Sequence, residues 1–261
     1  MKWAQVPAGD INAANQRLWG ALDDSADEVA TRIKTDPAFV ADIAKFIVSF
    51  LGANSKAMTS LNPQWLRARE IMGRNFFGIE EAIKHFGVKP SEEQLAVLGK
   101  IPFSEDVLTA CKDTHVLVAI FPMSILDVRS IVKELADQTL FFNNQDWYNK
   151  QEFANDKGEV GWKLIRKVLI DNSTSKTWNE QQALLSKDEE TPKAQVVVYT
   201  MISHFLATGE RLFEKVYVRC VDLDSNGERV VVGYFVAKGI IIKFWEDDTH
   251  CDYVGVLSTR K

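Results

Sequence analysis

Cysteine is scarce in this chain, and the three that occur, Cys111, Cys220 and Cys251, are widely spaced and odd in number. That argues against a disulfide framework and for a reducing compartment. Long apolar runs are missing too. The two most apolar stretches, 39–51 and 116–126, are interrupted by charge or too short to span a bilayer core of about 30 Å. A basic excess is also lacking: Lys and Arg number 31 against 36 Asp and Glu, a formal net charge of -5. Nucleic acid and anionic membranes, which select basic surfaces, are therefore not expected as partners. The opening residues, MKWAQVPAGDINAANQ, show no apolar core of a signal peptide. The expected location is cytoplasmic.

Catalytic signatures are absent as well. There is no GxSxG, P-loop or GxGxxG, and His85, His115, His204 and His250 are too scattered for a zinc pattern. No cofactor and no metal site is expected. A triad assembled from distant residues stays open, since such members need not be close in sequence.

What the chain does have is apolar content, 46% of 261 residues, enough for one large domain or two small ones. Residues 1–113 read as a helical part. Asp36 with Pro37 opens a strongly apolar helix, Asn62 with Pro63 opens another, Gly78 and Gly87 bracket IEEAIKHF, Ser91 and Gln94 form a capping box, and Ser104 caps EDVLTACK. Residues 78–100 have the outline of a helix-turn-helix. Glu92 and Glu93, however, would put negative charge where bases and phosphates must approach.

At His115 the texture changes. HVLVAIF, ended by Pro122, has the continuous apolar run of a strand buried on both faces. Helical spacing returns over 124–135, short and longer strands are expected at 140–142 and 160–170, and a polar loop at 143–158 lies between them. Within residues 191–214, TPKAQVVVYTMISHFLATGERLFE, a helix is expected to begin with Thr191 as cap and Pro192 in the first position and to stop at Gly209. Ala194, Val197, Val198, Met201, Ile202, Phe205 and Leu206 make a broad apolar face, opposite a narrow polar one with Thr200, Ser203 and His204. Beyond it the period becomes two: a strand from Val216, an Asn226-Gly227 hairpin turn, and returns at 230–237, 240–245 and 253–257. The expected fold is α+β, a helical N-terminal part followed by a mixed or antiparallel sheet whose C-terminal β-meander packs on the central helix. Parts 1–113 and 114–261 are expected to form one compact unit, because no linker separates them.

Two constellations invite chemistry. Asp222, Asp224, Asn226 and Gly227 match the opening of a calcium loop, but the position for the terminal carboxylate is Gly233 and the flanks are strands. The segment 143–180 concentrates Trp147, Tyr148, Trp162 and Trp178 with Asp146, Lys150, Glu159, Lys163 and Arg166. Aromatics among adaptable polar groups suit a binding surface, although tryptophans more often cover a core. The candidate binding residues are Asp146, Trp147, Tyr148, Trp162, Trp178 and His204.

The runs GEVGWKLIRK, NSTSKTWNEQQALLSKDEETPKAQVVVYTMISHFLATGERLFEKVYVRC and YVGVLSTRK resemble a group of uncharacterised bacterial hypothetical proteins. The resemblance implies no activity, cofactor or catalytic residue, only that the C-terminal half is a recurrent module. Two functional classes follow: a binding or interaction protein for a protein or small-molecule ligand, or a hydrolase-type enzyme with dispersed catalytic residues. A carboxylate within reach of His115 or His204 inside a cleft would favour the enzyme. Oligomeric state and strand order are not legible.

Overall fold

The computed structural model describes residues 26–36, 62–135 and 139–260. Two compact units divide the chain, residues 1–61 and 62–261. In the first, α1 (Ala26–Thr35) carries Arg32 and Lys34 in its last turn, where cations complement the helix dipole. The apolar helix expected after Asp36 lies outside the described residues.

The second unit opens with helices that start where their caps dictate. Asn62 accepts from Gln64 N at 2.9 Å to begin α2 (Pro63–Met72), and Gly87, at φ 66°, closes α3 (Ile79–Phe86). Ser91 and Gln94 exchange bonds of 3.2 and 3.0 Å at the head of α4 (Glu92–Leu98). Ser104 accepts from Val107 N at 3.3 Å to start α5 (Glu105–Cys111). Between α2 and α3 lies a two-residue strand, β1 (Phe76–Phe77).

Strand β2 (His115–Ile120) is buried at every position, as its unbroken apolar run requires. It is followed by α6 (Ile125–Leu135), the short α7 (Glu152–Asn155), β3 (Gly161–Arg166), α8 (Trp178–Gln182), the two-residue β4 (Glu189–Glu190) and the long α9 (Ala194–Thr208). A meander of β5 (Tyr217–Leu223), β6 (Arg229–Val236) and β7 (Gly239–Trp245) comes next, then β8 (Val254–Gly255) and β9 (Thr259–Arg260). The architecture is α+β, with helices concentrated before the strands.

Two mixed sheets result. The first has the order β1-β2-β3-β9-β4, with β1 parallel to β2 and the rest antiparallel. The second has the order β7-β6-β5-β8, the meander being antiparallel and β8 joining β5 in parallel. Helix α9 packs on β2 of the first sheet and on β5 and β6 of the second, so it serves both cores at once.

That double duty corrects the expected amphipathic helix. Thr200, Ser203 and His204 are as buried as the apolar face, because α9 is packed against both sheets and against neighbouring helices. Thr200 turns its hydroxyl back to Val196 O at 2.8 Å, and His204 meets Glu210 at 3.2 Å. Phe205, by contrast, is only partly buried, meeting Phe235 edge-to-face under the Arg211 guanidinium. The cap differs also. Thr191 spends its hydroxyl on the Gln182 amide, and Asp222 reaches from β5 to accept from Ala194 N. A carboxylate borrowed from a neighbouring strand does the work of a local cap.

Candidate functional site

A cleft of about 890 Å³ opens at the N-terminal end of α9. Its walls follow from strand alternation. On β3 the odd positions face it through Lys163, Thr259 faces it from β9, and Glu190 from β4, in agreement with the pairings Ile165↔Thr259 and Glu190↔Thr259. Asp156, Gly158 and Glu159 close it from the segment before β3, and Gln182, Leu185 and Ser186 from the end of α8. Lys193, Gln195 and Val196 form its floor at the head of α9.

Charge lines this opening on all sides. Lys163 lies 3.3 Å from Glu190 and Lys193 lies 2.7 Å from Asp156, both pairs partly in solvent. Each such pair contributes at most about 1 kcal/mol, so they are easily opened. Lys193, with the Gly158 N–H, holds the Asp156 carboxyl below its ordinary range. Burial pushes Glu189 up, but bonds from the Ser258 hydroxyl and Ser186 N–H, with the Arg260 charge, bring it below the usual carboxylate value. Asp222, behind the floor, is raised by burial against the opposing pull of Ala194 N–H and Lys193. The lining carries four carboxylates (Asp156, Glu159, Glu189, Glu190) and two lysines (Lys163, Lys193), which leaves an excess of negative charge.

Two side chains of the cleft are buried and incompletely bonded. Gln195 is 2% exposed; its Nε2 donates to Met123 O at 2.8 Å, which fixes the amide and leaves Oε1 without a donor. Thr259 is 1% exposed and its Oγ1 has no partner. Gly158 lies against the same Gln195 oxygen at φ +64°, and a Cβ there would come within 2.9 Å of it. Any side chain at 158 would obstruct the approach to Gln195.

The residues singled out from sequence lie elsewhere. Asp146 is exposed and pairs with Arg129 at 3.2 Å. Next to it, Tyr148 is fully buried and Trp147 packs on Tyr148, Phe153 and Phe244 while donating to Ile242 O at 3.3 Å. Trp162 and Trp65 both donate to Leu98 O, at 2.9 and 2.8 Å, and so satisfy a C-terminal carbonyl of α4. Trp178 lies under the Arg229 guanidinium at 4.1 Å, and Arg229 is forked onto Asp247 at 3.0 and 2.8 Å. His204 sits towards the other end of α9; burial keeps it below its ordinary value, with Glu210 opposing. Only Asp146, Trp147 and Tyr148 come together. None of the six lines the cleft.

At the Asp224 turn the two acids of the calcium-like motif are used separately. Asp224 accepts from Asn226 N and Glu228 N at 2.8 and 2.9 Å, and Asp222 caps α9. Among the described residues no group of three or more His, Cys, Asp or Glu is placed to hold a metal ion, and no helix is long and apolar enough to cross a membrane. No family model, curated protein or solved structure matches the chain.

Proposed function

We propose that the chain is a binding protein whose cleft at the head of α9 takes a small polar ligand rich in hydrogen-bond donors and carrying positive charge, an organic ammonium or guanidinium. The observation that supports this reading is the buried Gln195 Oε1, an acceptor with no donor among the described residues, set in a cleft of about 890 Å³. A buried acceptor without a partner costs about 1–3 kcal/mol, a cost a ligand donor would remove. The Thr259 hydroxyl adds a second open position, and the carboxylate excess selects the sign of the ligand.

Binding is favoured over hydrolysis because the histidines paired with carboxylates, His204 with Glu210 and His250 with Glu180, do not line the cleft. His115 is turned to the opposite face of the first sheet. The test is thermal melting with agmatine, a neutral disaccharide and glutarate at equal ionic strength, in wild type and in Gln195→Leu. Agmatine should raise the melting temperature of wild type saturably and leave the variant unmoved. No shift, or equal shifts in both proteins, would overturn the reading.

A further inference from the structure

The face of the first sheet turned away from the cleft carries a second unexplained group of side chains. His115 on β2 is paired in register with Arg166 on β3, which puts their side chains on one face. Thr259 faces the cleft with Ile165, so the next residue, Arg260, points to the side of Arg166 and lies diagonally from it across β3 and β9. Among the described residues neither guanidinium has a hydrogen bond or ion pair, and the Nε of each is buried without an acceptor. The nearest acid, Glu189, is paired in register with Arg260 but spends its carboxylate on Ser258 and Ser186. His115 is itself 6% exposed with Nε2 unpartnered.

The tautomer of this histidine follows from its neighbour. Thr114 Oγ1 lies 2.8 Å from His115 Nδ1 but 3.4 Å from Cys111 O, so the hydroxyl proton is best placed on the shorter bond. Nδ1 then accepts, and Nε2 carries the ring proton as a free donor. Among the described residues, three N–H groups on one face are without acceptors, and two like charges stand on adjacent strands with the partly engaged Glu189 to offset them. Like charges so placed destabilise a sheet unless a counterion joins them.

We propose that Arg166, Arg260 and His115 form a binding site for a small oxyanion, a phosphate or carboxylate group, on the face of the first sheet opposite the cleft. The two guanidinium groups supply charge and N–H donors, His115 Nε2–H donates as a neutral group, and Glu189 limits the site to an anion of low charge. The site shares only Glu189 with the lining of the cleft and does not rest on the ligand assigned there.

Binding of inorganic phosphate and of acetate is measured by isothermal titration at fixed ionic strength, with chloride as the balancing anion, on wild type, Arg166→Gln and Arg260→Gln. In parallel, the His115 imidazole is titrated by NMR in wild type with and without phosphate. Saturable binding of either anion is expected, weakened at least about tenfold in each variant. An anion beside the ring favours the imidazolium, so the His115 midpoint should rise when phosphate is present. Preference for phosphate or for acetate identifies the group. Absence of saturable binding, or equal binding in wild type and variants, overturns the site. If the variants fail to fold, an unchanged His115 midpoint in saturating phosphate does the same.

Discussion

Along β3 neighbouring residues meet two different environments, and the contrast lies in how their charges are paired. Lys163 faces the cleft and has Glu190 at 3.3 Å; Arg166 faces the other way and has no ion pair among the described residues. Between them Leu164 is fully buried. On the cleft face acids outnumber bases and the open group is an acceptor, Gln195 Oε1. On the far face the open groups are donors. Strand alternation alone separates these two chemistries, and the state of pairing, more than the count of charges, shows which side chains have work left for a ligand. An unpartnered atom is not sufficient by itself: Ser203 Oγ is buried without a partner among the described residues but does not line the cleft.

The largest expected effect is on Leu164, which shares the far face of β3 with Arg166 and is fully buried. Leu164→Ala should cost about 2–5 kcal/mol by urea denaturation, from lost burial plus a residual cavity. A cost near that of an exposed site would mean that the helices do not seal this face of β3.

The next concerns acid. Burial, with Arg166 and Arg260, lowers His115 from 6.5 to about 4. The folded state therefore binds the proton less readily than the unfolded chain. Stability should be fully present above pH 6.5 and fall as the pH drops towards about 4, by an amount on the order of 2–3 kcal/mol from this residue. Denaturation of wild type and His115→Gln across that range should show the slope reduced in the variant. Equal slopes would place His115 in water or beside a compensating acid.

Gln195→Leu should change stability by only about 1 kcal/mol, since the lost bond to Met123 O is offset by removing an unpartnered buried oxygen. A much larger loss would make Gln195 a structural residue. Smallest of all, Lys163→Ala should cost less than about 1 kcal/mol, because both partners of its ion pair are more than a third exposed. The same urea measurements decide both.

Much of this frame is readable in the residues. Asn62, Ser91 and Ser104 announce their helices because capping is local, β2 is visible in its apolar run, and the Asp224–Gly227 turn forms as its residues demand, with Gly227 at φ 84°. Strands β1, β4 and β9 are not readable, since two residues carry no period, yet β4 and β9 supply Glu190 and Thr259 to the cleft. The polar strip of α9 looks solvated until its packing against both sheets and neighbouring helices is known. Glu159, Lys163 and Arg166 stand out as polar residues among aromatics, but their division between two faces needs the register of β3 with β9. Gln195 gives no signal in sequence. A glutamine in an apolar helix becomes informative only when its burial and its one missing bond are both known.

The central claim is best tested on Gln195 directly. In protein with its side-chain amide nitrogens labelled, the Gln195 Nε2 signals are followed by NMR during titration with agmatine, together with the His115 ring. A ligand donor on Oε1 should move the Gln195 signals saturably and leave His115, on the other face of the sheet, unchanged. Gln195 signals that stay fixed while agmatine saturates the protein, or that move only in step with His115, would contradict a ligand site at the head of α9.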